Sequence, residues 1–371
     1  MIGAVAALLS ASQVALGQAT PKESLLALSK RNHTLAIVNP ATLEVIARVP
    51  VGPDPHEVTA SSDGKTAYVS IYGSGRYHTL SVIDLVGQKA LPDIDTGALN
   101  GPHGLTFVGG KLWFTAEGAK AIARFDPTTA KVDWIMGTGQ NRTHMIYVTS
   151  GQDRIYTTNV SSATVSIIEK VELPPVGPPP GMQPGTPAGM SPGTPPGMQP
   201  GMQPGGAPPP EGQPHPGGPP RMDWDETVIP VGKGSEGFDI SPDVRELWTA
   251  GAEDGTVSIV DLASKKVVAT LDAKVFGANR LKFTLDGKYV LISSLRSGDL
   301  VIYDAAARTE WKRVPIGHGA AGILMEPNGA RAFIACGPDN DVAVLDLKTF
   351  AVTGHINVGG EPDGLAWAVR P

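Results

Sequence analysis

Along most of the chain, apolar and polar residues alternate in short runs bounded by turn residues. Two such stretches read Val58-Thr59-Ala60-Ser61-Ser62-Asp63-Gly64-Lys65-Thr66-Ala67-Tyr68-Val69 and Leu281-Lys282-Phe283-Thr284-Leu285-Asp286-Gly287-Lys288-Tyr289-Val290. A period of two predicts strands with one buried face, and Asp-Gly supplies the positive φ that a tight hairpin needs. The full phrase is a short strand, a turn, a second strand, a third closing on Ile/Val-Asp, and a fourth ending near Val-Gly. Aligned on the residue that opens the first strand, the repeats begin at His56, His103, His144, Glu236, Asn279, Ala321 and Asp363, with separations of 47, 41, 92, 43, 42 and 42 residues.

The doubled interval has a single cause. From the residue closing the third strand to the next repeat the distance is 18 for Asp126–His144, 18 for Asp261–Asn279, 17 for Asp304–Ala321 and 17 for Asp346–Asp363, but 67 for Glu169–Glu236. An insertion therefore separates the third and fourth strands of that unit alone. Seven repeats predict an all-β, seven-bladed propeller. Residues 24–29, 34–38 and 44–49 read as second, third and fourth strands without a first, while 364–369 reads as a first strand without followers. The two ends are expected to complete one blade, which closes the ring and removes an open sheet edge.

Composition adds three boundaries. Residues 1–19 are apolar and small, with no charged side chain before Lys22 and Gly17-Gln18-Ala19 at their end. This is the pattern of a secretory signal peptide, so a periplasmic or secreted, soluble and monomeric protein is expected. The insertion, 173–220, consists of Pro-Gly-Met-Gln-Pro-Gly variations and should stay disordered or polyproline-like. Met182, Met190, Met198 and Met202 with His215 would offer soft ligands to Cu(I), a tether or docking strand is a second reading, and an inert expansion a third. Third, the net charge of −6 comes without a long run of either sign, which argues against binding nucleic acid or anionic membrane. The one cysteine, Cys336, excludes an internal disulfide and paired-cysteine metal sites.

The seven opening residues are the main functional signal, because the first strand of each propeller blade lines the central channel. His56, His103 and His144 with Glu236 and Asp363 form a candidate set of ligands for a divalent metal ion. Hydrogen bonds from each histidine to backbone would be the alternative use. Arg142, Asn279 and Arg280 stand beside the set, and the long loop of the first unit adds Tyr72, Arg76, Tyr77 and His78 as candidate ligand-binding residues. Dinucleotide, phosphate-loop, haem-attachment and nucleophile-elbow motifs are absent.

Ala67-Tyr68-Val69-Ser70, Val82-Ile83-Asp84 and Val257-Ser258-Ile259-Val260-Asp261 resemble the YVTN-repeat propellers of secreted bacterial and archaeal proteins, over roughly residues 24–369 apart from the insertion. That resemblance implies a seven-bladed fold and export, without one activity. Pro102-His103-Gly104-Leu105, Leu112-Trp113-Phe114-Thr115, Glu117 and Ile122-Ala123-Arg124-Phe125-Asp126 are similar to repeats of the streptogramin lyases. Those enzymes open a cyclic depsipeptide with a divalent metal and a histidine base, which would make His103 and Glu117 catalytic. Only this unit carries the Trp-Phe-Thr phrase. The sequence thus leads to an extracytoplasmic binding protein for a metal ion, polar ligand or protein partner, with a metal-dependent lyase or lactone hydrolase as the alternative.

Overall fold

The computed structural model describes residues 18–173 and 221–371. The apolar leader up to residue 17 and the Pro/Gly/Met segment 174–220, with its methionines and His215, lie outside the described residues. Seven four-stranded antiparallel sheets form a ring of blades. Blades 1 to 6 occupy 55–95, 102–137, 143–230, 235–271, 278–315 and 320–356; blade 7 combines 23–50 with 362–369. In blade 7 the carboxy-terminal strand, Pro362–Val369, pairs with Glu23–Ser29. Among the described residues no helix is long and apolar enough to cross a membrane.

Two compact units make up the chain, one of residues 1–169 and 226–371 and a second, Lys170–Asp225, that spans the insertion. Within that unit the Lys170 ammonium lies 5.1 Å from the centre of the Trp224 ring.

The second and third strands of the blades bury apolar side chains on both faces, and adjacent blades pack them against each other, whereas the outer strands alternate buried and exposed. Leu26, Leu28 and Ile37 of blade 7 pack on Val58, Val69 and Ile83 of blade 1, and Trp248 and Ile259 of blade 4 on Leu281 and Ile292 of blade 5. Each such fully buried side chain contributes about 1.5–3 kcal/mol relative to exposure.

Two local devices set the mouth of the channel. Each first strand starts one residue before the position expected from the repeat, at Pro55, Pro102, Thr143, Ser235, Ala278, Ala320 and Pro362. In every blade the register against the second strand then slips by one, as between Pro55↔Ile71 and Val58↔Val69. The repeat-defining residue falls inside this bulge, which leaves it unpaired and turns its side chain toward the channel. The second device is a hydroxyl latch. Thr115 Oγ1 accepts from Gly104 N–H at 2.9 Å and donates to the carbonyl of His144 in the next blade at 2.7 Å. Thr158 and Ser293 repeat it toward Glu236 and Ala321. Close approach explains the glycine after several of the repeat residues: a Cβ on Gly237 would stand 2.5 Å from the Asn279 carbonyl oxygen.

Candidate functional site

Two sets of equivalent positions meet at the mouth. One is the bulged set, His56, His103, His144, Glu236, Asn279, Ala321 and Asp363. The other is the residue that follows each second strand: Tyr72, Glu117, Val160, Ala252, Leu295, Gly337 and Lys30 in blades 1 to 7. All of the first set, and Tyr72, Leu295, Gly337 and Lys30 of the second, border a cavity of about 600 Å³. Its wall is uneven. Lys30, Tyr72 and the three histidines crowd blades 7, 1, 2 and 3, whereas blades 5 and 6 add the apolar Leu295, Gly319, Ala321, Gly337 and Pro338 beside the polar Asn279 and Arg280 of blade 5.

On the polar side the imidazoles form a chain. Asp54 Oδ1 lies 3.0 Å from His56 Nε2, and His56 Nδ1 lies 3.1 Å from His103 Nε2. Lys30 Nζ donates to His56 Nδ1 at 3.4 Å and to Asp363 Oδ2 at 2.8 Å. The rings of His103 and His144 sit with centroids 3.8 Å apart. His144 Nδ1 makes a short hydrogen bond to Glu117 Oε1. Glu117 Oε2 accepts from the Tyr72 hydroxyl at 2.5 Å and from Arg142 Nε at 3.4 Å. Arg142 Nη2 is 3.6 Å from Glu236, whose other oxygen accepts from Asn279 Nδ2 at 2.6 Å.

This packing fixes the charge states. His103 is 1% exposed, and burial, then repulsion from His144, His56, Arg280 and Lys30, holds its pKa well below the usual value. Burial alone would raise the Glu117 carboxyl. The His144 hydrogen bond, with that of Tyr72 and the charge of Arg142, outweighs it and leaves Glu117 ionised. Burial and the Glu117 bond push the Tyr72 phenol up. Asp363 likewise stays ionised, with Lys30, His56 and Arg280 overcoming its burial.

Two buried nitrogens, His103 Nδ1 and His144 Nε2, have no hydrogen-bond partner. One ligand atom from each of His103, Glu117 and His144 lies within 4.8 Å of the others, close enough for a single ion to reach all three. Deeper in the channel, Arg280 Nη2 donates to Glu57, which belongs to a blade nearly opposite. Arg280 Nη1 holds Asn279 through its carbonyl and side-chain oxygens at 3.2 and 3.1 Å.

Of the residues expected at the site, His103, His144 and Glu117 come together. His56, Glu236 and Asp363 border the same cavity but are bonded to Asp54, Asn279 and Lys30. Tyr72, Arg142, Asn279 and Arg280 also line it, whereas Arg76, Tyr77 and His78 do not. His78 instead pairs with Asp95 at 2.9 Å on the exposed surface. Lys30 and Asp54 were not singled out from the sequence. Lys30 could have been found by its register, since it follows a second strand as Tyr72 and Glu117 do. Asp54 occupies a position where four other blades carry glycine.

That position immediately precedes each first strand and is left-handed all round the ring. Its φ values are 56° at Asp54, 67° at Gly101, 55° at Arg142, 74° at Gly234, 73° at Gly277, 58° at Gly319 and 53° at Glu361. The non-glycine residues are all charged, and each costs about 1–2 kcal/mol of backbone energy.

No family model and no curated protein matches the sequence. Solved structures do match the fold. A protein of unknown function from Desulfotomaculum acetoxidans aligns with a TM-score of 0.67 at 10% identity, covering 94% of this chain and 99% of its own. A candidate 6-phosphogluconolactonase from Bacteroides uniformis aligns with a TM-score of 0.63 at 16% identity, covering 94% and 100%. Hydrazine synthase from Kuenenia stuttgartiensis aligns with a TM-score of 0.61 at 15% identity, covering 84% and 89%. At identities of 10–16% the likeness shows the propeller fold alone.

Proposed function

We propose that the protein is a binding propeller, acting outside the cytoplasm, that holds a divalent transition-metal ion at His103 and His144 and a small ligand above it. The two partnerless imidazole nitrogens carry this reading. Glu117 can only accept from His144 Nδ1, which leaves a lone pair on His144 Nε2, the carboxylate–histidine–metal arrangement of a built site. Glu117, already bonded three times, serves as orienter.

Charge supports the same reading. Asp54, Glu57, Glu117, Glu236 and Asp363 face Lys30, Arg142 and Arg280, an excess of two negative charges when the three imidazoles carry none. The exposed Arg31–Glu361 pair at the rim cancels itself. A divalent ion offsets that excess, and an imidazole-rich set favours zinc, manganese, iron or cobalt over magnesium or calcium. The ligand would coordinate the ion with a polar group and lay an apolar part on Leu295, Ala321 and Pro338. Binding ranks above lyase or lactonase chemistry because His56, the histidine left over, has both ring nitrogens engaged and is no free base.

The test uses full-length protein recovered without chelator from outside the expressing cytoplasm, where an amino terminus cut near Thr20 is expected. Metal content should be close to stoichiometric and should disappear in His103→Ala/His144→Ala, with the fold retained. Metal-free wild type that also takes up no added zinc at micromolar concentration would sink the proposal.

A further inference from the structure

Arg142 stands at the left-handed position that Gly101, Gly234, Gly277 and Gly319 fill without strain in other blades. Its side chain is 40% exposed and borders the cavity between Glu117 and Glu236. Both carboxylates hold it loosely, with Nε 3.4 Å from Glu117 and Nη2 3.6 Å from Glu236, and the Tyr72 hydroxyl lies nearby. We infer that Arg142 anchors an anionic ligand, and that this ligand is a small monocarboxylate with an apolar tail.

The other cations at the mouth are already engaged. Arg280 is buried, with Nη2 on Glu57 and Nη1 on the two oxygens of Asn279 at 3.2 and 3.1 Å. Lys30 donates to Asp363 at 2.8 Å, and Arg31 to Glu361 at 2.6 Å. A guanidinium carries five N–H groups, so the long contacts of Arg142 leave donors for a group in the cavity. Its planar fork matches the two oxygens of a carboxylate. A phosphate or a dicarboxylate would set a second negative charge beside Glu117 and Glu236 with no further open cation to meet it. Glu117 takes His144 on one oxygen and Arg142 on the other, which puts the anchor and the metal position side by side. A bound ion would offset the negative excess of the cavity, and on this point the inference rests on the metal reading above. Further round the ring, in blades 5 and 6, Leu295, Ala321 and Pro338 form an apolar wall for the tail, with Leu295 half exposed.

The experiment titrates hexanoate, hexanol, hexylamine and hexyl phosphate into the full chain, zinc-loaded and metal-stripped, by isothermal titration calorimetry. Zinc-loaded wild type should bind hexanoate at least about 10-fold more tightly than the other three. Arg142→Gly installs the residue that four other blades carry at this position, so the fold is retained. Its hexanoate affinity should fall about 10–100-fold, while its hexanol affinity stays that of wild type. Arg142→Lys, which keeps the charge without the fork, should recover only part of the loss. Hexanoate bound no more tightly than hexanol, or equally by wild type and Arg142→Gly, would overturn the inference and leave the metal reading standing. A preference for hexyl phosphate would overturn it as well. Wild type that takes up no zinc would remove the metal reading. The stripped protein then decides this inference: selective, Arg142-dependent binding of hexanoate would uphold it, and the absence of such binding would overturn it.

Discussion

At seven equivalent points the backbone turns left-handed to enter the innermost strand, and what distinguishes the blades is the side chain carried there. Asp54 shows how such a residue enters stability as well as geometry. The His56 hydrogen bond, against the opposing effect of burial and with help from the charges of His56 and Lys30, lowers its pKa to about 2. An unfolded aspartate titrates near 3.9. Its contribution is therefore present above about pH 4 and is lost as pH falls through about 2. With the side chain 35% exposed, solvent screening reduces that contribution to about 1 kcal/mol. Thermal melts between pH 6 and pH 2 should show Asp54→Asn losing less stability on acidification than wild type; parallel curves would contradict this. The three histidines were legible in the sequence because they fall at one repeat position. Asp54 and Lys30 were not, because each sits in a turn whose neighbours in other repeats are chemically different. The link from Glu57 to Arg280 spans 223 residues and has no sequence signal at all.

At the scale of elements, the spacing of apolar runs and turn residues located the strands to within a residue or two and showed which blade carries the insertion. It did not show the bulge, which is a property of backbone register and starts each first strand one residue before its repeat position. Nor did it show that second-strand hydroxyls tie one blade to the next. The buried Thr115 latch is the clearest of these ties, since the same oxygen serves Gly104 of its own blade and His144 of the next. Thr115→Val keeps the shape and leaves two backbone groups without a partner, a loss of about 2–4 kcal/mol in urea unfolding. A loss under about 0.5 kcal/mol would mean that water or a backbone shift replaces the latch. Because the latch holds the strand that carries His144, the same variant should also weaken zinc uptake.

For the whole molecule, the repeat count and the shared last blade follow from the sequence, and the similar structures share the fold at 10–16% identity. Most packing in the ring joins neighbours, as in any array of repeats, and such arrays unfold unit by unit when each interface acts alone. The Glu57–Arg280 bond is different, because it joins blade 1 to blade 5 across the bore with both partners buried. Glu57→Leu leaves the Arg280 charge unpaired and should cost about 3–5 kcal/mol, most of which Glu57→Leu/Arg280→Met should restore. The restored protein is the informative one. Hydrogen exchange followed by mass spectrometry should find wild type opening all blades together and the double variant opening in separate arcs, whereas identical exchange would limit the bond to local packing. A spoke of this kind would tie the ring's unfolding together: an arc that melts must release the opposite one, so the histidines and charged residues at the mouth would share the stability of the entire circle.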